Sequence, residues 1–306
     1  MTRILISGLI NIETTLRIDQ FPIPYFPVAY PFNGVNTTIS GVGFNIAKAL
    51  HKLNNTITLA SLIGNDAFGT LIPAELMKIG MTPDYLRKIP GQNPQSVILY
   101  DANGNRQIHV DLKNIQDLQY PAQDFEQALT NNDVTVLCNI NFSRPFLEIS
   151  KNAGKMIATD VHTIQDLNDP YNNDFMRAAD ILFLSHEKLP LSPQEIIQDI
   201  WQQFQTKICV IGMGKSGTLL AFKPDKFIGH YPSIITRPII NTIGAGDALF
   251  SAFIDCFAKT NDPYLAIQKA ILFASYKIGG TGAADGFLSE QELNDLSKKI
   301  LPITHL

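Results

Sequence analysis

Charge is scarce in this chain. Asp, Glu, Lys and Arg make up 17% of 306 residues, and 28 acids against 24 bases leave a formal net charge of −4. No basic cluster stands out, which argues against a nucleic acid as partner. Cysteine is scarcer still. Cys138, Cys209 and Cys256 are odd in number and widely spaced, two in apolar strand-like runs and one in an apolar helix. That excludes a disulfide framework and a zinc site, and suits buried, reduced thiols. The six histidines show no ligand spacing, so no metal-binding residue is assigned. No apolar run approaches the ~18–20 residues that cross a bilayer. The first residues, Met1 to Gly8, read as a strand entering a glycine turn, without the apolar core of a signal peptide. The expectation is a soluble, cytoplasmic protein with no membrane partner. With no repeat and no low-complexity linker, residues 1–306 are read as one domain.

Alternation is abundant. Apolar strand-like runs recur at Ile4–Ile6, Thr58–Ile63, Val97–Tyr100, Val134–Cys138, Met156–Thr159, Ile181–Leu184 and Ile208–Ile211. Helix-length segments separate many of them: Ile46–Leu53, Ala67–Ile79, Phe125–Leu129 and Pro193–Gln203. The pattern predicts an α/β fold, a mostly parallel central sheet with helices on both faces. Ligands then bind beyond the carboxyl ends of the strands. Two regions break the alternation. Residues 14–39 are rich in proline and aromatics, with Phe21, Tyr25, Phe26, Tyr30 and Phe32. Residues 93–112 read as a hairpin, Ser96–Tyr100 and Arg106–Asp111, turning at Asn103-Gly104. Together they are expected to form a small β lid, with most of the aromatic rings packed against the main sheet.

The most informative stretch is Asn241-Thr242-Ile243-Gly244-Ala245-Gly246-Asp247. It lies between a short strand-like segment, Arg237–Ile240, and an apolar helical run, Ala248–Ala258. A glycine turn feeding a helix points backbone N–H groups outward, and the helix dipole adds partial positive charge. Asp247 opens that helix. The bland reading is an N-cap, but an ordinary cap does not need two glycines. A carboxylate beside an anion hole suits a base in phosphoryl transfer to an alcohol. A second stretch, Ser40-Gly41-Val42-Gly43-Phe44-Asn45, opens the helix Ile46–Leu53, and Asn45 can donate and accept, as a diol requires. Its bland reading is a tight turn.

Gly212-Met213-Gly214-Lys215-Ser216-Gly217 fits a dinucleotide fingerprint in letters only. The fingerprint must open a helix, whereas Thr218–Phe222 reads as a strand. A P-loop fails as well, because Cys209 stands where its first glycine is needed. A hairpin turn and a backbone-lined nucleotide edge both remain open. Gly279-Gly280-Thr281-Gly282 follows the helix Ala266–Lys277 and suits a loop close to a ligand.

The order and spacing of these motifs resemble the ribokinase-like, or phosphofructokinase-B (PfkB), family of carbohydrate kinases over nearly the full length. Gly41-x-Gly43-x-Asn45 with Gly64-Asn65-Asp66-Ala67-Phe68-Gly69 is similar to its N-terminal signature, and Asn241–Asp247 to its C-terminal one. The resemblance implies ATP and Mg2+ as cofactors. It makes Asp247 the catalytic base and the backbone of Gly244, Ala245 and Gly246 the anion hole. It assigns Gly212, Gly214, Lys215, Gly217, Thr242 and Gly282 to the nucleotide. Asn11, Glu13, Gly41 and Asn45 would hold the acceptor. A homodimer through the lid is also among its implications. Departures stand beside the matches. Asn241 replaces the usual Asp near the family's monovalent-cation site, which speaks against potassium activation. Glu13 replaces Asp, Ser40 replaces a hinge glycine, and Lys188 takes the place of a Glu near phosphate and magnesium. The expected function is transfer of the γ-phosphoryl of ATP to a hydroxyl of a small sugar or sugar derivative. A nucleoside kinase of the same family and a non-catalytic sugar or nucleotide sensor are the alternatives.

Overall fold

The computed structural model describes residues 1–300. Its strands are β1 (Arg3–Ser7), β2 (Asn11–Arg17), β3 (Val35–Ser40), β4 (Thr56–Gly64), β5 (Leu86–Ile89), β6 (Gln95–Tyr100) and β7 (Arg106–Asp111). Then follow β8 (Val134–Leu137), β9 (Met156–Asp160), β10 (Ile181–Ser185), β11 (Ile208–Gly212), β12 (Thr218–Phe222) and β13 (Phe227–Tyr231). The helices are α1 (Val42–Lys52), α2 (Ala67–Lys78), α3 (Ala122–Thr130), α4 (Pro145–Asn152), α5 (Asn173–Ala178), α6 (Pro193–Gln203), α7 (Ala245–Thr260), α8 (Pro263–Lys277) and α9 (Glu290–Ile300).

Nine strands build the main sheet in the order β13-β12-β11-β10-β9-β8-β1-β4-β5. It is parallel from β11 to β5, and β12 and β13 add an antiparallel edge. Successive strand residues point to opposite faces. Ile4 and Ile6 therefore join Leu50, Phe250 and Phe253 on one side, while Leu5 joins Phe125, Phe146 and Ile197 on the other. Two cores, one per face, explain the continuous apolar runs.

A second sheet has the order β3-β2-β6-β7. Strand β2 pairs antiparallel with β3 and parallel with β6. Its pairing begins at Asn11, opposite Ser40, so this sheet grows directly out of the segment after β1. Between β2 and β3 the aromatic stretch does not pack as expected. Tyr25, Phe26, Tyr30 and Phe32 are exposed by 90, 68, 75 and 88%. The prolines around them withhold backbone donors and break up regular structure, so the rings have no element to carry them onto the sheet.

Three boundaries differ from expectation. Helix α1 starts at Val42, because Gly41 turns the chain at φ 103° and frees the next residues to coil. Asn45 is thus inside the helix and buried. Helix α7 starts at Ala245, with Gly244 at φ 73° as its N-cap, so Asp247 is its third residue rather than its first. Residues 237–240 form no strand, because their bonds go to the end of α8: Ile240 N–H donates to Ile278 and Arg237 Nε to the Tyr276 carbonyl.

Gly64–Gly69 serves the fold. Asp66 caps α2 by accepting from Gly69 N–H at 2.9 Å and also accepts from Asn93 N–H at 2.9 Å, while Asn93 Oδ1 accepts from Gly64 N–H. This knot joins the end of β4 to the start of the second sheet. Asp66→Ala should lower stability by about 1–2 kcal/mol, the usual loss of a good cap, with ligand affinities unchanged. Urea unfolding checks it; an unaltered midpoint would show that the knot contributes nothing.

Candidate active site

The first turn of α7 lies at the carboxyl ends of the main strands. Gly244 needs its positive φ to enter that turn, and a side chain there would strike the Ala283 backbone at 2.4 Å. Ala245 N–H bends back to Thr242 O at 3.3 Å, whereas the N–H groups of Gly244, Gly246 and Asp247 have no backbone partner among the described residues. Gly246 is exposed, and a Cβ on it would meet only Asp160 Oδ2, at 4.0 Å. The result is an open set of donors at a helix N-terminus, suited to an anion.

Asp247 is 9% exposed and accepts from Asn45 Nδ2 at 2.7 Å. Asn45 Oδ1 lies 3.1 Å from Ser40 Oγ, which is also 3.0 Å from Glu13 Oε2. Glu13 Oε1 reaches Ala283 N–H at 3.4 Å. One polar relay therefore links α7, α1, β3, β2 and the loop after α8. Burial pushes the Asp247 carboxyl above its ordinary value, against the Asn45 hydrogen bond. Burial also raises Glu13, against the bonds from Ser40 and Ala283. Beside them, Asn11 donates from Nδ2 to Ser96 Oγ at 3.1 Å, while its buried Oδ1 has no partner among the described residues. A buried acceptor left open is costly unless a ligand meets it. Gly41 touches none of this openly: a side chain there would strike Leu9 O at 2.6 Å, so its glycine is needed for close chain crossing.

Lys277 is a residue that sequence reasoning missed. It is wholly buried at the end of α8, and its ammonium donates to the carbonyl of Ile243. Burial pushes its pKa down to about 8, against the pull of Asp247, Glu13 and Asp285 and with the help of Arg106. Asn241 lies on the same seam. Its Nδ2 donates to the carbonyls of Gly280 and Thr281 at 3.2 and 2.8 Å, and its Oδ1 accepts from Ile243 N–H at 3.0 Å. Arg106, from β7, donates to Thr242 O at 2.8 Å and to Thr242 Oγ1 at 3.1 Å, linking the second sheet to the turn.

The Gly212–Gly217 stretch is the hairpin between β11 and β12, with one short helical turn at Gly214–Ser216 inside it and strand β12 directly after. Gly217 is packed against Tyr231 and Ser233, but Gly214, at φ 56°, faces open space and Lys215 is exposed. His186 N–H donates to Gly212 O at 2.9 Å, which sets the exposed Lys188 segment beside this edge. Gly282 is buried, its α-carbon facing Asp285 rather than an open surface. Asp160 and His162 were also missed. Asp160 ends β9 and His162 lies two residues beyond it, with His162 N–H on Asp160 Oδ1 at 2.8 Å, and both act electrostatically on Asp247. The rule that ligands sit beyond parallel strand ends pointed there.

A parallel α/β sheet that sets a buried carboxylate beside a glycine anion turn defines a small-molecule phosphotransferase. The sequence matches the pfkB family of carbohydrate kinases over residues 1–290. The chain belongs to that family and is a carbohydrate kinase. It is 25% identical to a 2-dehydro-3-deoxygluconokinase of Bacillus subtilis over 282 residues, covering 83% of this chain and 85% of that one. It is 23% identical to an ATP-dependent ribose-1-phosphate kinase of Halopiger xanaduensis, covering 92% and 94%. The structure of a microbiome-derived acarbose kinase superposes with a TM-score of 0.87 at 21% identity, covering 96% of this chain and 98% of that one.

Lys277 makes stability depend on pH. Its folded pKa of about 8 lies below its ordinary 10.5. Between those values the unfolded chain binds more protons, so the lysine's contribution to stability rises with pH across that window. The melting temperature of wild type minus that of Lys277→Met should therefore grow more positive from about pH 7 to about pH 10. A flat difference would mean that Lys277 keeps an ordinary pKa.

Proposed function

We propose that this kinase transfers the γ-phosphoryl group of ATP to a hydroxyl of a small sugar or sugar derivative, with Asp247 as general base. The observation that carries the reading is the relay from Asp247 through Asn45 and Ser40 to Glu13, beside the unpartnered Asn11 Oδ1. It sets several fixed donors and acceptors close together, which suits a polyol. Asn45 and Glu13 hold the acceptor. Asp247 takes the proton of the attacking hydroxyl, and the free N–H groups of the turn receive the charge of the transferred group. Gly214 and Lys215 lie along the nucleotide. Mg2+ keeps several waters and binds through one or two carboxylates plus phosphate. Asp160, near the open face of Gly246, fits such a role, and the ion would neutralise phosphate charge. The second sheet, over about residues 14–39 and 93–112, acts as the lid that excludes water.

The names of the relatives favour sugar derivatives. The exposed rings of Tyr25, Phe26, Tyr30 and Phe32 favour a second reading, a nucleoside, whose flat base would stack on them. ADP release across a panel of sugars, sugar phosphates and nucleosides separates the two. With the best acceptor, Asp247→Asn should cut kcat by roughly 10²–10⁴, the range for a general base. Asn45→Ala should raise KM for the acceptor far more than for ATP. Near-full turnover by Asp247→Asn would remove the carboxylate from the mechanism.

The lid's outer face supports a homodimer through it. By register Leu16, Val35, Val97 and Leu99 form one apolar strip, with Val35 and Val97 58 and 44% exposed. Light scattering should give a dimer, and Val97→Lys a monomer. A monomeric wild type at micromolar concentration would dismiss this assembly.

A further inference from the structure

The resemblance raises a monovalent cation beside Asn241, and the residues present do not fit one. Asn241 is a neutral amide whose oxygen and nitrogen are both committed, to Ile243 N–H and to the carbonyls of Gly280 and Thr281. The carbonyl of Ile243, one residue before the anion turn, is already taken by the Lys277 ammonium. A free cation there would compete with a tethered one for the same oxygen and would be repelled by it.

Lys277 needs an explanation of its own. A wholly buried lysine is rare, and its charge is expensive to desolvate. Among the described residues its ammonium makes one hydrogen bond, to a backbone carbonyl and not to a carboxylate. Ordinary helix-end complementation does not require burial, since an exposed lysine interacts with the dipole as well. The location supplies a reason. The carbonyl of Ile243 and the N–H of Gly244 belong to one planar peptide and point in opposite directions. A cation holding the carbonyl fixes that plane and polarises it, so the N–H on the far edge becomes a stronger donor. That N–H is one of the unpartnered donors of the turn. The charged groups around the lysine, Asp247, Glu13 and Asp285 with Arg106 on the other side, are those of the reaction centre.

We propose that Lys277 is a built-in cation of the anion hole: a positioning residue that fixes and polarises the Ile243–Gly244 peptide, and that makes the enzyme independent of potassium. The inference rests on the kinase reading.

Two arms test it. In the first, wild-type kcat and the affinity for ATP, measured by calorimetry, are compared in potassium and tetramethylammonium chloride at equal ionic strength. Both should agree within about twofold. In the second, Lys277→Met should lower kcat by at least about tenfold, approaching the loss of an oxyanion donor, with KM for the acceptor nearly unchanged. Lys277→Ala, which leaves room, should regain part of its rate with added potassium or ammonium. Severalfold stimulation of wild type by potassium overturns the proposal, and so does a Lys277→Met enzyme with wild-type kcat. The first arm decides even if the variants fail to fold. A wild type that binds no ATP in either salt brings down the kinase reading itself, whereas one that binds ATP only with potassium defeats the lysine alone.

Discussion

The hydrogen bond between Asn45 Nδ2 and Asp247 Oδ2, at 2.7 Å, is the interaction on which the site depends. It joins residues 202 apart in sequence. A carboxylate this deeply buried is costly unless something donates to it. Asn45 can donate only because α1 begins at Val42, which in turn needs Gly41 at positive φ. Gly43 is needed for the same approach, since a side chain there would meet the Gly8 backbone at 2.5 Å. The two glycines thus serve the carboxylate indirectly, by letting α1 close on the chain that leaves β1. Ridding Asp247 of water also lifts its pKa above the ordinary carboxylate value. That is the useful direction for a base, because a raised pKa means a stronger pull on the hydroxyl proton.

The electrostatics around Asp247 rely on few full positive charges. Phosphoryl transfer requires negative charge to be met wherever it develops. In the proposed mechanism much of that task falls to backbone dipoles at the start of α7, with Lys277 behind them. Backbone donors cost no side-chain reorganisation during the reaction. This accounts for an anion site in an acidic chain that has no basic cluster. It also fits the choice of Asn241 over an acid. With a lysine ammonium in the seam, a second acid there would add a buried charge, whereas the amide ties the loop 280–281 to the turn without one.

Much of this was legible because the signals are local. The apolar runs fixed the main strands, and the glycine turn before an apolar helix pointed to Asp247. The misses share a tertiary cause. Lys277 ends a helical run, where a lysine ordinarily reaches water and complements the dipole. It is buried where it reaches the Ile243 carbonyl ahead of α7, a contact between distant segments that no local pattern reveals. Asp160 and His162 sit where ligands are expected, but an acid ending a strand is common and carries no signature. The segment 237–240 looked like a strand because strand propensity reflects apolar content; its backbone partners lie on α8 instead. The aromatic stretch reads as core by composition, yet it has no regular element to carry it inward.

Under the proposed mechanism, the second sheet's geometry couples closure to acceptor recognition. Asn11 and Glu13 are residues of β2, and Ser40 ends β3, so the acceptor wall and the lid proposed above are the same strands. Any movement of the sheet relative to the main one must stretch the Ala283–Glu13 and Ser40–Asn45 contacts and the Arg106–Thr242 latch. An acceptor that bridges Asn11 and Asp247 would strengthen those same links. Its binding energy would then be spent on holding the sheet closed and water out, rather than on uniform affinity, and such differential use is what raises kcat. A poor acceptor that fails to span the two elements would leave closure to the contacts already present, Ala283–Glu13, Ser40–Asn45 and Arg106–Thr242. Selectivity would follow from closure as much as from any single hydrogen bond.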